Sequence, residues 1–341
     1  MLELNHRAHK KYLKRFLQML PAYGASYDST RVVIAYFSIS GLDILQDIEN
    51  LTEDYKKKII DWVYSLQVIN DEELASGFQG SSSLNTLENK DKPAPYKWGH
   101  VASTYTALCI LLILGDDLSR VNKPSLLRSL RSLQQPNGVF SSFKEGSESD
   151  MRFIYCAACI CYILDDWSGI DIEKATKYIL NSFTYESAFA QGPDLEAHGG
   201  SSFCAIAALS LMNKLSILNK KQKDYLVRWL IMRQKSGFQG RPDKEVDTCY
   251  SFWIGASLKI LNAFDCVNFE ENRTYILMTQ EGLYGGFSKW VNTQSDPLHT
   301  YMGLAGLSLM KENGLNEVMP LLNISCRAYN HLKELHKKWM D

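Results

Sequence analysis

The 341-residue chain has no apolar run long enough to cross a bilayer. The longest, Ala107 to Leu114, falls well short of the ~20 residues a spanning helix needs. Met1 to Lys14 is basic but has no apolar centre, so this segment does not read as a secretory leader. Neither sign of charge is in excess: Lys+Arg 37 stand against Asp+Glu 38, for a net charge of −1. That excludes an overall field for nucleic acid or anionic lipid, so any anion site must be local. Strand-like alternation is nearly absent. The eight cysteines are not spaced as a disulfide frame, and most lie inside apolar runs. The triplet Cys156-Ala-Ala-Cys159-Ile-Cys161 reads as buried packing within a helix rather than a metal motif. Reduced thiols of this kind suit a cytosolic protein.

What the chain does have is an internal repeat. An aromatic residue follows a small one at Gly77-Phe78, Val139-Phe140, Ala188-Phe189, Gly237-Phe238 and Gly286-Phe287. The last four phenylalanines are each 49 residues apart. Each loop leads into a segment of small and apolar residues: Tyr105 to Leu114, Ile154 to Leu164, Ser202 to Met212, Ser251 to Leu261 and Thr300 to Met310. Several are followed by a more polar helix: Lys174 to Phe183, Lys221 to Arg233, Asn268 to Met278. A helix that is apolar on all sides is buried on all sides. The unit is therefore a helical hairpin with an inner and an outer member, repeated at least five times. The expected fold is all-α, an α/α barrel over residues 1–341 as one domain. Tyr105, Tyr155, Phe203, Tyr250, Trp253 and Tyr301 would line an apolar central cavity with a polar rim.

The 49-residue register brings chemistry together. His198, Asp247 and Asp296 share one slot, and His299 falls on the Tyr250 slot. Asp247, Cys249 and His299 would then start neighbouring inner helices, where a carboxylate, a thiolate and an imidazole can share one zinc. The alternative is a buried thiol beside a satisfied core histidine. His198, Arg241, Lys244 and Lys289, with the Tyr250 phenol, gather on the same face and could hold a polyanion attached to a hydrocarbon. Alternatively they are solvated surface, with Asp243 and Glu245 balancing the lysines.

The run Gly240-Arg-Pro-x-Lys244-x-x-Asp247-x-Cys249-Tyr-Ser-Phe-Trp253 resembles the β subunits of protein prenyltransferases. So do Glu196-x-His198-Gly-Gly200 before it and Tyr284-Gly-Gly-Phe287 with His299 after it. The likeness extends from His6 and Arg15-Phe-Leu-x-x-Leu-Pro21 to about Met310. It implies an α/α barrel, one zinc, a prenyl diphosphate, a protein cysteine as acceptor and a separate helical α subunit. By the resemblance, Asp247, Cys249 and His299 match the zinc ligands. His198, Arg241, Lys244 and Tyr250 match the diphosphate-binding groups, and Arg152, Tyr155 and Trp253 match residues lining the isoprenoid and peptide cavity. Asp243 departs from the family's usual Asn, and Met302 from its usual aromatic.

Within the family, Val33 stands where farnesyltransferases have a cavity-capping tryptophan, which leaves room for one more isoprene unit. Lys289 stands where they place a magnesium-holding aspartate, so magnesium is expected to be dispensable. Ser40 to Asp43 and Glu148 to Arg152 also look like the type I branch. The implied activity is transfer of a C20 group from geranylgeranyl diphosphate to the cysteine of C-terminal Cys-a-a-X proteins such as small GTPases, with Leu common at X. No protein nucleophile is implied. The alternatives are the farnesyl or Rab branch, or a non-catalytic isoprenoid-binding subunit. A triterpene cyclase is excluded by the lack of an Asp-x-Asp-Asp acid. His331 to Lys338 reads as a charged, exposed terminal helix.

Overall fold

In the computed structural model, which describes residues 2–86, 97–145 and 147–340, thirteen helices are described with three short β-ribbons. Six inner helices form the wall: α2 (Arg31–Ile44), α4 (Val101–Ile113), α6 (Met151–Leu164), α8 (Gly199–Leu211), α10 (Tyr250–Ile260) and α12 (Pro297–Leu309). Each packs on the next, and α12 packs back on α2, so the ring is closed. Outside stand α3 (Glu53–Ser65), α5 (Lys123–Ser132), α7 (Ile172–Asn181), α9 (Lys220–Ile231) and α11 (Phe269–Met278). The chain begins with α1 (His6–Gln18) against α2 and ends with α13 (Cys326–Met340) against α4. The fold is the expected α/α barrel.

Sequence explains the layering. In α4 every residue but Ala102 is buried, as a helix without a polar face requires. The outer helices carry polar outward faces; α3 starts on a Thr52 cap and the other four on Asx caps. Asn122, Asp171, Asn219 and Asn268 each accept an N–H from the first turn, and Asn219 completes a capping box with Gln222. The repeat phenylalanines 78, 140, 189, 238 and 287 are all fully buried. Their carbonyls fix the register, accepting from His100 N, His198 N and Asp247 N at 3.0 Å in three of the repeats. All inner helices therefore begin at one end of the ring.

Two expectations need correction. The first concerns α13, which is amphipathic rather than exposed. It buries Ala328, Leu332 and Leu335, and His331 and His336 bond the carbonyl oxygens of Asp116 and Ile163. The second concerns the barrel interior, which is not an open well throughout. A hairpin of β5 (Val318–Met319) and β6 (Ile324–Ser325) turns inside it, and ring tyrosines donate to the carbonyls of its tip. Tyr36 and Tyr301 donate to Asn323 O at 2.5 and 2.7 Å, Tyr105 to Leu322 O at 2.8 Å and Tyr155 to Leu321 O at 3.1 Å. Irregular backbone can sit in a core only if its carbonyls find donors, and these phenols supply them. The hydroxyls of Tyr36, Tyr105, Tyr155 and Tyr301 thus hold the hairpin tip inside the ring.

Candidate metal centre and anion-binding rim

The turn entering α10 carries most of the chemistry. A Cβ at Gly240 would overlap the Tyr250 ring, so only glycine lets the backbone pass there. Asp243 follows with φ +58, a left-handed conformation that Asn and Asp tolerate best among side-chain-bearing residues. An aspartate here therefore meets a backbone demand, with its carboxylate exposed.

Asp247 closes the turn, its Oδ1 accepting from Cys249 N at 3.0 Å. This local bond stands in for the side-chain cap that α10 lacks. Asp247 and Cys249 are both buried beside His299 on α12. The ligand atoms of these three residues all lie within 4.8 Å of one another. His299 Nε2 is 3.2 Å from Asp247 Oδ1, and its Nδ1 is 2.6 Å from Asp296 Oδ2. Burial opposes charge on His299, but the two carboxylates outweigh it and hold the pKa at about 9. Burial also opposes charge on Asp247, yet the His299 bond keeps its pKa low. Burial, then the Asp247 carboxylate, pushes the Cys249 thiol well above its usual value. In this state a proton sits where a divalent cation would balance carboxylate and thiolate together. The donor set fits a metal with one position left for another ligand.

The anion-binding rim lies beside it. His198 caps α8, its Nδ1 accepting from Gly200 N and Ser201 N at 3.1 and 3.2 Å. A nitrogen that accepts carries no proton, so the neutral ring holds its proton on Nε2, 2.9 Å from the Tyr250 hydroxyl. Burial, then the Arg241 charge, lowers its pKa. His198 is therefore a neutral group, not the cation expected from its company. Arg241 Nη1 is paired with Glu196 Oε2 at 2.7 Å. Lys244 is exposed on the same turn. Lys289 Nζ lies 3.8 Å from Asp247 Oδ2 and 4.4 Å from the centre of the Trp290 ring.

A cavity of about 610 Å³ opens here, lined by Arg152, His198, Cys204, Arg241 and Trp253 among others. Arg152 is held by Asp150 and Glu148, each within 2.7 Å. Trp253 packs on Phe203, with ring centres 5.1 Å apart. Tyr155 lies buried one helix over. Val33, half-buried near the start of α2, and Met302, buried in α12, are outside this lining.

Known proteins fit this geometry. Residues 4–324 match the prenyltransferase alpha-alpha toroid domain. The chain belongs to the prenyltransferase family. This prenyltransferase is 38% identical to the geranylgeranyl transferase type-1 subunit beta of Dictyostelium discoideum, covering 95% of this chain and 96% of that one. It is likewise 38% identical to that of Arabidopsis thaliana, over 94% and 88%. The Candida albicans protein geranylgeranyltransferase-I complexed with GGPP superposes with a TM-score of 0.88 at 27% identity, covering 98% of this chain and 99% of that one.

The structure brings Asp247, Cys249 and His299 together and sets Arg152, His198, Arg241 and Trp253 around the cavity, with neighbours that sequence reasoning missed. Ser201 and Cys204 line the cavity, and the 49-residue register reaches both, from Arg152 and from Tyr155. Glu196 was a motif residue without a role; its position relative to Arg241 depends on the loop's path, which spacing does not encode. The hairpin-tip residues 321–323 lie beyond the repeats and carried no signal.

Proposed function

We infer that this chain is the catalytic β subunit of a type I protein geranylgeranyltransferase. It moves a C20 group from geranylgeranyl diphosphate to the cysteine of a C-terminal Cys-a-a-X protein. The observation that carries the reading is the Asp247–Cys249–His299 cluster set beside a cavity that has cations on its rim and Trp253 on its wall. The type-1 relatives named above support the same choice. Residues 1–341 form one domain, and a separate helical α subunit completes the enzyme. No helix among the described residues is long and apolar enough to cross a membrane, and the expected compartment is the cytoplasm.

Asp247, Cys249 and His299 would hold a zinc ion, and Asp296 orients the imidazole through Nδ1. When bound, zinc lets a substrate cysteine stand as a thiolate at neutral pH. The chain's own residues then bind and position the donor. Because His198 presents Nε2–H to the Tyr250 oxygen, the phenol's own proton is free to be donated to the diphosphate. Arg241, Lys244 and Lys289 add positive charge as the leaving group develops its own. Lys289 supplies the charge for which farnesyltransferases use magnesium, so magnesium is dispensable. Trp253, Tyr155, Arg152 and Met302 shape the isoprenoid and peptide cavity, and Val33 leaves space for the fourth isoprene unit. Burial there is worth about 0.8 kcal/mol per CH2 and places C1 against the acceptor.

The test is transfer of labelled C20 from its diphosphate to a Cys-a-a-Leu peptide by the chain co-expressed with its α subunit. Preference for the C15 donor would move the chain to the farnesyl branch. Binding without transfer would make it a non-catalytic subunit.

A further inference from the structure

From α4 to α10, the turn that starts each inner helix is tied to the next turn round the ring by a backbone bond. Val101 N donates to Ser142 O at 2.9 Å, Met151 N to Gln191 O at 3.0 Å, Gly199 N to Gly240 O at 2.8 Å and Thr248 N to Lys289 O at 3.2 Å. That bond belongs to the fold. The last pair, which joins the turn of Asp247 and Cys249 to the loop of Lys289 and Asp296, has more. Thr248 stands between two of the proposed metal ligands and is fully buried. Its Oγ1 donates to Ser288 O at 2.7 Å and lies 3.2 Å from Lys289 O. Val101, Met151 and Gly199, at the equivalent points, have no hydroxyl. Tyr275 on α11 adds a second link. Its hydroxyl donates to Val246 O at 2.8 Å and lies 3.5 Å from Lys289 O. Glycines make room for both side chains. A Cβ at Gly303 would press on the Thr248 methyl at 3.2 Å, and one at Gly237 would overlap the Tyr275 ring.

We infer that Thr248 and Tyr275 are positioning residues that set Lys289 against the Asp247–Cys249–His299 cluster, so that its ammonium meets the leaving diphosphate. This rests on the proposed function and adds to its anion site. The Lys289 side chain is long and nearly half exposed, so its reach is decided by where its backbone stands. That backbone is held at two successive carbonyls, Ser288 O by the Thr248 hydroxyl and Lys289 O by the Thr248 amide. Ser288 Oγ in turn donates to Trp290 O at 2.6 Å, and the Trp290 ring faces the ammonium. Nζ then stands 3.8 Å from Asp247 Oδ2. A misplacement of about 1 Å around a reacting centre can cost about 100-fold in rate, so the grip on this loop matters to the chemistry. Thr248 and Tyr275 each direct their single hydroxyl proton at a backbone carbonyl. Their effect on the prenyl donor therefore passes through the backbone they hold.

The experiment is a double-variant cycle on the assembled heterodimer, read as the dissociation constant of geranylgeranyl diphosphate and the single-turnover rate. Thr248→Val keeps the shape and removes the hydroxyl. It should weaken binding about fivefold and slow transfer about tenfold, with zinc content and peptide KM unchanged, and Thr248→Ser should restore most of both. In a Lys289→Ala background, Thr248→Val should cause no further loss, because the group it acts through is gone. Equal losses in both backgrounds would make Thr248 a structural residue and overturn the inference, as would zinc lost from Thr248→Val. Should Thr248→Val fail to fold, Tyr275→Phe in the outer layer goes through the same cycle and decides by the same outcomes. A Lys289→Ala enzyme that binds and transfers like its parent sinks the inference and leaves the proposed function standing. A parent that does not bind the diphosphate refutes both.

Discussion

The Tyr250 hydroxyl lies 2.9 Å from His198 Nε2, and the tautomer of that imidazole is set from its other side by the first turn of α8. A helix cap thus decides which atom of Tyr250 faces the ligand: its oxygen accepts from His198 and its proton is left to donate. Tyr250→Phe removes that donor while keeping the ring against Gly240. Single-turnover transfer should slow by about 100-fold with little change in melting temperature. An unchanged rate would remove Tyr250 from leaving-group stabilisation.

Lys289 sets the metal requirement of the anion site. Transfer should continue when magnesium is chelated selectively with zinc retained. Lys289→Ala should slow the magnesium-free reaction by about tenfold or more, the order expected for one charged donor to a developing anion. Strict magnesium dependence of the parent would contradict the role given to this lysine.

Two of the tyrosines that hold the hairpin tip share an acceptor, which predicts non-additivity. Tyr36 and Tyr301 both donate to Asn323 O, so either phenylalanine variant leaves one donor in place. The double variant leaves a buried carbonyl unpaired. Its cost should exceed the sum of the single costs by about 1–3 kcal/mol, read by chemical denaturation. Simple additivity would mean that the carbonyl finds another partner.

Acid should destabilise the fold through His9. It is fully buried; its Nδ1 accepts from Gly286 N and its Nε2 donates to Gln280, each at 2.9 Å. Burial pushes its pKa down to about 4 from 6.5. Between those values the unfolded chain binds a proton that the folded chain refuses, so stability rises with pH there. The contribution is complete above pH 6.5 and falls by about 3 kcal/mol as pH drops to 4. His100, also held at about 4 by burial, acts in the same direction. His9→Gln should flatten the stability profile in this window, and an unchanged profile would show that His9 is already charged in the fold.

The architecture was legible because burial imposes composition. Helices such as α4 and α8, with no polar face, belong inside, and the 49-residue spacing of the loops aligns their first turns. That same spacing carried Asp247 and Cys249 to His299. Two things were not legible. The neutrality of His198 follows from its role as a helix cap, a backbone contact that residue type does not reveal. The hairpin tip at Leu321 to Asn323 pairs backbone carbonyls with distant tyrosines, and a carbonyl leaves no mark on the sequence.

The most direct test is the metal content of the purified heterodimer, measured alongside prenyl diphosphate binding. The parent should carry stoichiometric zinc, and Cys249→Ala should lose both zinc and turnover while still binding the C20 diphosphate. A Cys249→Ala enzyme that kept its zinc and its full rate would contradict the account.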